Sequence, residues 1–266
     1  MTLLRRGRPP TDTADGLIVA TDPLDAGWRW LSFAAFRLAD GQSTNRPGDG
    51  QEVVLVVAEG TARIRVDGRD LGALGSRASV FDGAAPPLVL VAPGSRVECT
   101  SVGRSLVAVV SADGGATHRT VIRDPREIAT EIRGAGITER QVRQLLPASA
   151  EAGRLIVSET FAPGGHWSSW PPHKHDTDDP PRETQLEETY FYRFARPEGM
   201  ALQRIYTADR TLDETVIPHD TDLVLVPRGY HPVASAPGYD TWYLNAMAGP
   251  RREWRISIDP EHDWQS

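Results

Sequence analysis

The chain carries the same short unit twice, LVLVAPG at 88–94 and LVLVPRG at 223–229. Four apolar residues closed by a Pro/Gly turn read as a buried strand running into a tight turn. Two more pairs keep the same order: FRLADG (36–41) with TFAPGG (160–165), and EVVLV (52–56) with ETYFY (188–192). Three matches in one order predict a duplicated β-unit, and this alignment sets Glu52 in the place of Glu188. The rest of the chain agrees with that prediction. Apolar or β-branched runs at 28–38, 52–59, 61–66, 77–81, 88–92 and 106–111 are separated by DG, EG and PG pairs. The pattern resumes at 154–161, 188–194, 201–206, 222–226 and 241–246. Short strands at this spacing predict an all-β sandwich or barrel in each half. Between them, DGGATH (113–118) reads as a loop, and the Arg/Glu-rich stretch 124–146 as either a short helix or an extended connector. The expected organisation is therefore a first unit over 1–115, a connector over 116–150 and a second unit over 151–266.

Composition narrows the function classes. At 266 residues, 39% hydrophobic and 24% charged, the chain suits a globular protein with a real core. A formal charge of −7 argues against a nucleic-acid surface, which needs an electropositive face. It leaves room for a small anionic substrate in a local basic pocket. Cys99 is the only cysteine, so neither an intramolecular disulfide nor a CxxC metal site can form. The start MTLLRRGRPP has no apolar run behind it, and no stretch approaches membrane-spanning length. The expectation is a cytoplasmic protein with no membrane partner.

Five of the seven histidines, His166, His173, His175, His219 and His231, fall in a window of 66 residues. HKH at 173–175 is followed by Glu188, and His231 follows a Pro-x-Gly turn. In an extended strand residues i and i+2 share a face, so His173 and His175 can share an ion while Lys174, the only lysine, points away. Three imidazoles and a carboxylate suit one divalent ion of Zn, Mn, Fe, Ni or Co, with positions left for water or substrate. The competing reading is a histidine-rich polar loop around PPHKHDTDDPP.

These motifs resemble those of the cupin superfamily, which pairs His-x-His and Glu with a His after a Pro-x-Gly turn. The resemblance implies an all-β bicupin, two tandem jelly-roll-like barrels with few short helices. Two features depart from the usual pattern. Twelve residues separate His175 from Glu188, which implies an inserted loop, and PRGYH is one residue tighter than Pro-x-Gly-x-x-His. Both departures, with PPHKHD (171–176), LEETYFYR (186–193), QRIYT (203–207), VPRGYHPV (226–233) and GYDTWYLNAMAGP (238–250), resemble the 5-deoxy-glucuronate isomerases of inositol catabolism. Those enzymes are related to the 4-deoxy-threo-hexosulose-uronate ketol-isomerases. By this likeness His173, His175, Glu188 and His231 are the metal ligands, with Glu188 preferred to Glu187 because its E-x-Y phase matches. The first half has no HxH, and its PGSRV (93–97) has no histidine, so it is expected to be structural or to pair subunits in a homo-oligomer.

The implied reaction is aldose–ketose isomerisation of 5-deoxy-D-glucuronate to 5-dehydro-2-deoxy-D-gluconate. Such chemistry needs a Lewis acid on the carbonyl and adjacent hydroxyl, and a proton carrier between C2 and C1 unless hydride shifts directly. Glu187, His219, Tyr206 and Tyr230 are the candidate carriers among side chains. Arg204 and Arg228 are candidates for the substrate carboxylate, with Gln203 for hydroxyls and Lys174 as a lesser anion contact. Tyr243 and Asn245 are further hydroxyl contacts. Two other functions fit the same ligand set: a cupin dioxygenase, marked by oxygen uptake, and a sugar-binding bicupin without turnover.

Overall fold

The structure is a computed structural model that describes residues 2–9, 15–46, 49–113 and 119–265. Most of the DGGATH stretch therefore lies outside the described residues. The first half forms one eight-stranded antiparallel sheet. Its spine runs Leu17–Thr21, Leu31–Leu38, Val97–Asp113, Gln51–Val66, Leu88–Val91 and Val121–Arg123. Ser43–Arg46 pairs with Val97–Asp113, and Arg69–Leu74 with Gln51–Val66. The runs expected at 52–59 and 61–66 are one strand. Its register shifts on either side of Glu59, and Gly60 sits there at φ 74°. A Cβ at Gly60 would run into the carbonyl oxygen of Arg104, so only glycine lets the two long strands bend at this point. That bend carries one ladder around both walls of a barrel filled by Val53, Leu55, Val57, Ile64, Val91 and Val109.

The second half divides its strands between two main sheets and a two-stranded ribbon, His173–Lys174 with Ser257–Ile258. A seven-stranded sheet runs Leu4–Arg5, Leu223–Val226, Glu187–Phe194, Thr241–Ala248, Ile156–Ala162, Arg140–Leu146 and Thr130–Arg133. A four-stranded sheet runs Trp167–Ser168, Val233–Ser235, Ala201–Tyr206 and Asp213–Val216. Tyr190, Tyr192, Ile205, Val224, Val233 and Tyr243 pack between them. The stretch 124–146, open between helix and connector from sequence, holds two 3-10 turns, Pro125–Glu127 and Gly136–Thr138, and supplies two strands to the second barrel, while Val121–Arg123 joins the first. Pro23–Ala26 is the only α-helical turn among the described residues. The run at 77–81 is not a strand, contrary to expectation. Arg77 is buried there, donating to the carbonyls of Ala58 and Ala84 and pairing with Glu159 at 2.9 Å, which holds the backbone in a turn.

Each large sheet presents its second face to the other, and this shared layer sets the phase of every strand. Phe33 and Phe191 meet at 5.6 Å between ring centroids, joined by Val54, Val56, Trp242 and Leu244. Two carboxylates fasten the halves reciprocally. Glu187 accepts the backbone N–H groups of Arg29, Trp30 and Leu31 at 2.6–2.9 Å. Glu52 accepts those of Gly153, Arg154 and Leu155. Each is a buried anion on three donors, an arrangement in which every bond contributes about 1.5–3 kcal/mol.

This symmetry corrects the sequence alignment. Glu188 is paired with Val226, and Val53 with Val91, so superposing the two LVLV units puts Val53 where Glu188 stands. Glu52 is then the counterpart of Glu187. The one-residue slip arises because Glu-Glu and Gln-Glu start the two strands, and a pleat reverses the face of neighbouring residues.

Candidate metal centre

The centre forms where the insert, the Pro-Arg-Gly turn and the strand Glu187–Phe194 meet. His173–Lys174 pairs with Ser257–Ile258 near the chain's end. The ammonium of Lys174 is held by Asp176 at 2.6 Å and Glu183 at 2.9 Å, and Glu183 also accepts the N–H groups of Asp176 and Thr177. Lys174 thus folds the inserted loop back on itself. The second oxygen of Asp176 accepts the N–H of Gly229 at 2.8 Å, tying HKHD to the turn that carries His231. Gly229 has φ 89°, and a Cβ there would strike the carbonyl oxygen of Tyr206. A Gly229→Ala variant is therefore expected to displace His231 and to lose bound metal at least about tenfold more readily, measured by competition with a chelator. Unchanged affinity would show that the turn does not place the histidine.

Glu188 lies 3.1 Å from Nε2 of His175 and 3.2 Å from Nε2 of His231, through the same carboxylate oxygen. The ligand atoms of these three buried residues all lie within 4.8 Å of one another. His173 sits outside that tightest group but stays beside it, its ring 5.0 Å from that of His231 and 6.5 Å from that of His175. In each imidazole Nδ1 faces a backbone carbonyl: Pro171 for His173 (3.3 Å), Leu186 for His175 (3.1 Å) and Gly229 for His231 (2.9 Å). A carbonyl only accepts, so Nδ1 carries the proton and Nε2 turns a bare lone pair inward. Nε2 of His231 is buried with no hydrogen-bond partner. Between His175 and Glu188 a hydrogen bond of 3.1 Å engages that nitrogen, whereas His231 has none, and a divalent cation would satisfy both together with the carboxylate. The donor set fits such an ion.

The electrostatics show how strongly Glu188 draws positive charge to this point. Burial, then the neighbouring His231 and His175, pushes His173 down to about 3. Burial opposes a charge on His175, yet the Glu188 carboxylate draws it above its ordinary value. Burial would raise Glu188, but the two imidazoles hold it down to about 2. Its other oxygen accepts the side-chain N–H of Asn245 at 2.8 Å, which fixes the carboxylate rotamer. Asn245→Ala is expected to weaken metal binding about 10–100-fold with the fold intact, as loss of an orienting partner generally does. Isothermal titration of the apo-variant measures it.

A small cavity opens beside His173 and Glu188, walled by Arg140, Ser158, Thr160, Tyr190, Tyr243 and Asn245 among others. Its volume is about 50 Å³, and its lining is mostly polar. The Tyr243 hydroxyl donates to Ser168 at 2.8 Å, and Tyr190 shares a hydrogen bond of 3.0 Å with Ser169. Burial raises both phenols above their usual range, so both stay neutral.

A profile of the KduI/IolB family matches residues 3–265. The chain belongs to the KduI/IolB family. Among curated family members, the 5-deoxy-glucuronate isomerase of Geobacillus kaustophilus is 42% identical over 250 residues, covering 94% of this chain and 91% of that one. The enzyme of the same name from Bacillus subtilis strain 168 is 36% identical over 236 residues, 88% and 87% of the two chains. The crystal structure of an IolB-like protein from Salmonella typhimurium superposes with a TM-score of 0.95 at 38% identity, covering 100% and 99%. Lactobacillus farciminis oxalate decarboxylase, at 10% identity and TM-score 0.62 over 97% and 88%, shares the fold. The architecture is all-β and cupin-like, as the motif resemblance implies.

Within this family frame, Tyr243 and Asn245, singled out from sequence as hydroxyl contacts, line the cavity, and the remaining candidates lie away from its wall. Glu187 faces the opposite side of its strand, occupied by the three N–H groups of the first half. The hydroxyl of Tyr206 donates to Asp259 at 2.6 Å, the guanidinium groups of Arg204 and Arg210 lie over its ring, and Tyr230 packs on it at 5.2 Å. His219 turns Nδ1 to the carbonyl of Gly199. Arg204 pairs with Asp213 at 2.7 Å, and Arg228 is exposed. Gln203 is buried inside the barrel, accepting from Tyr192 at 2.8 Å. Sequence reasoning missed Arg140, Ser158, Thr160 and Tyr190 on the wall. Arg140 was hidden by the unassigned stretch 124–146. Reading RQVRQLL as an alternating strand is the signal that would have found it.

Proposed function

We propose that the chain is a divalent-metal-dependent aldose–ketose isomerase converting 5-deoxy-D-glucuronate to 5-dehydro-2-deoxy-D-gluconate in inositol breakdown. One observation carries the reading. Bare imidazole nitrogens converge on the buried Glu188 beside a polar cavity, in a chain 42% identical to a named 5-deoxy-glucuronate isomerase. In this reading His173, His175, Glu188 and His231 hold one ion. Residues 1–115 are chiefly scaffold, 116–150 join the halves and lend strands to both, and 151–266 carry the ligands.

The bound ion supplies Lewis-acid polarisation of the aldehyde and its neighbouring hydroxyl, which acidifies the proton on C2. The chain's own residues then bind and orient. Asn245 and the Nδ1–carbonyl bonds hold the donors in place. The neutral hydroxyls of Tyr190 and Tyr243 donate hydrogen bonds and cannot serve as bases near neutral pH. Ser158 and Thr160 offer further partners for sugar hydroxyls along the wall. The reaction conserves atoms: one hydrogen leaves C2 for C1, and the O2 proton passes to O1.

Proton NMR in D2O tests this. Metal-loaded protein should convert the aldehyde to the keto acid without oxygen uptake. Chelator treatment should stop turnover and re-addition of metal restore it. An aldehyde left unchanged by fully loaded protein would refute the reading, and oxygen consumption would favour a dioxygenase.

A further inference from the structure

Most buried or half-buried guanidinium groups of this chain have an evident partner. Arg77 and Arg143 are paired with Glu159, and Arg193 with Glu59 and Asp220. Arg252 has no carboxylate but spends its donors on the carbonyls of Pro147, Ala148, Ala150 and Leu155. Arg140 differs. Among the described residues no carboxylate pairs with it, and its only hydrogen bonds go to the carbonyls of Thr138 at 3.0 Å and Trp170 at 3.4 Å. A guanidinium has five N–H donors, so most of this one's capacity is uncommitted. Half-buried, it lines the same cavity as His173 and Glu188.

Strand register places it within that cavity. Glu188 is paired with Met247, Tyr190 with Asn245, and Tyr192 with Tyr243. The next strand pairs Ser158 with Asn245 and Thr160 with Tyr243, and Val142 then pairs with Thr160. Met247, Asn245, Tyr243, Ser158, Thr160 and Val142 all line the cavity, so they share its inward face. Arg140 lies two residues beyond Val142 on that face, on the far side of the Tyr243 row from Glu188. By register Arg140 and Glu188 stand in different rows of this face, with the hydroxyl and amide groups of Ser158, Thr160, Tyr243 and Asn245 in the rows between. Trp254 walls the same cavity, and its indole N–H is buried without a partner.

We propose that Arg140 binds the carboxylate of the sugar acid, holding the chain of the substrate so that its aldehyde end reaches the imidazole cluster. Ser158, Thr160, Tyr243 and Asn245 face the intervening hydroxyls, and the indole N–H of Trp254 is a second donor at the wall. This makes Arg140 the residue that selects a uronate over a neutral aldose. A planar fork matches a carboxylate in two parallel bonds, which an ammonium cannot reproduce. The identity of the acid rests on the isomerase reading; the anion site itself does not.

The test compares wild type with Arg140→Met and Arg140→Lys, each checked for metal content and circular dichroism. With 5-deoxy-D-glucuronate, Arg140→Met should lose about 100-fold in kcat/KM, mostly through KM, and Arg140→Lys about tenfold. The preference for the acid over its neutral 6-hydroxymethyl analogue should fall about 100-fold in Arg140→Met. Unchanged KM and unchanged preference in folded, metal-loaded variants would overturn the assignment. Should Arg140→Met not fold, Arg140→Lys decides by the same criterion. Should wild type not turn over the acid at all, the isomerase reading fails, and calorimetric titration with D-glucuronate still decides the anion site. A Kd weakened at least about 30-fold in the variants supports it, and equal Kd values reject it.

Discussion

A His175→Ala/His231→Ala double variant is expected to remain folded, to retain no stoichiometric divalent ion and to isomerise at least about 1000-fold more slowly, roughly 4 kcal/mol of transition-state stabilisation. Two of the nitrogens nearest Glu188 disappear together, leaving that carboxylate with Asn245 and the more distant His173. One imidazole and one carboxylate are too few to hold a divalent ion against solvent. The fold should survive because the barrel interior is built from other residues, such as Tyr190, Ile205 and Val224. Elemental analysis of the purified variant and the NMR product assay measure both effects. Full metal content in the double variant would show that the ion sits elsewhere.

Glu187→Ala should do the reverse, lowering unfolding free energy by about 3 kcal/mol or more while folded protein keeps its metal and its kcat. Glu187 is buried, and its two oxygens satisfy three N–H groups of residues 29–31. Alanine strands those donors between the halves, and a buried unsatisfied polar group costs about 1–3 kcal/mol. Glu52→Ala should cost a similar amount through Gly153, Arg154 and Leu155. Urea unfolding measures the loss, and rates normalised to bound metal separate it from catalysis. A Glu187→Ala variant of unchanged stability with kcat reduced 1000-fold would restore Glu187 as the proton carrier suggested by sequence.

The contrast between Glu187 and Glu188 shows where sequence reading stops. Two adjacent carboxylates open one strand, and alternation states only that they face opposite ways. Which way is inward depends on what packs against each face. Here the first barrel covers one face through Phe33 and the backbone of residues 29–31, leaving the other for the histidines. The same ambiguity moved Glu52 by one position in the repeat alignment. It also concealed Arg140, whose strand acquires a direction only by pairing with Ile156–Ala162.

The sequence alone determined the β character of both halves and their duplication, and it singled out His173, His175, Glu188 and His231 as candidate ligands. Those features are local, set by residue type, turn chemistry and separation along the chain. Tertiary structure alone decided that Lys174 and Asp176 clasp the insert, that Glu52 and Glu187 fasten the halves, and that Arg140 meets the cavity. The contacts behind the last two join segments up to 158 residues apart, and no local pattern encodes which distant backbone will arrive to meet a given side chain.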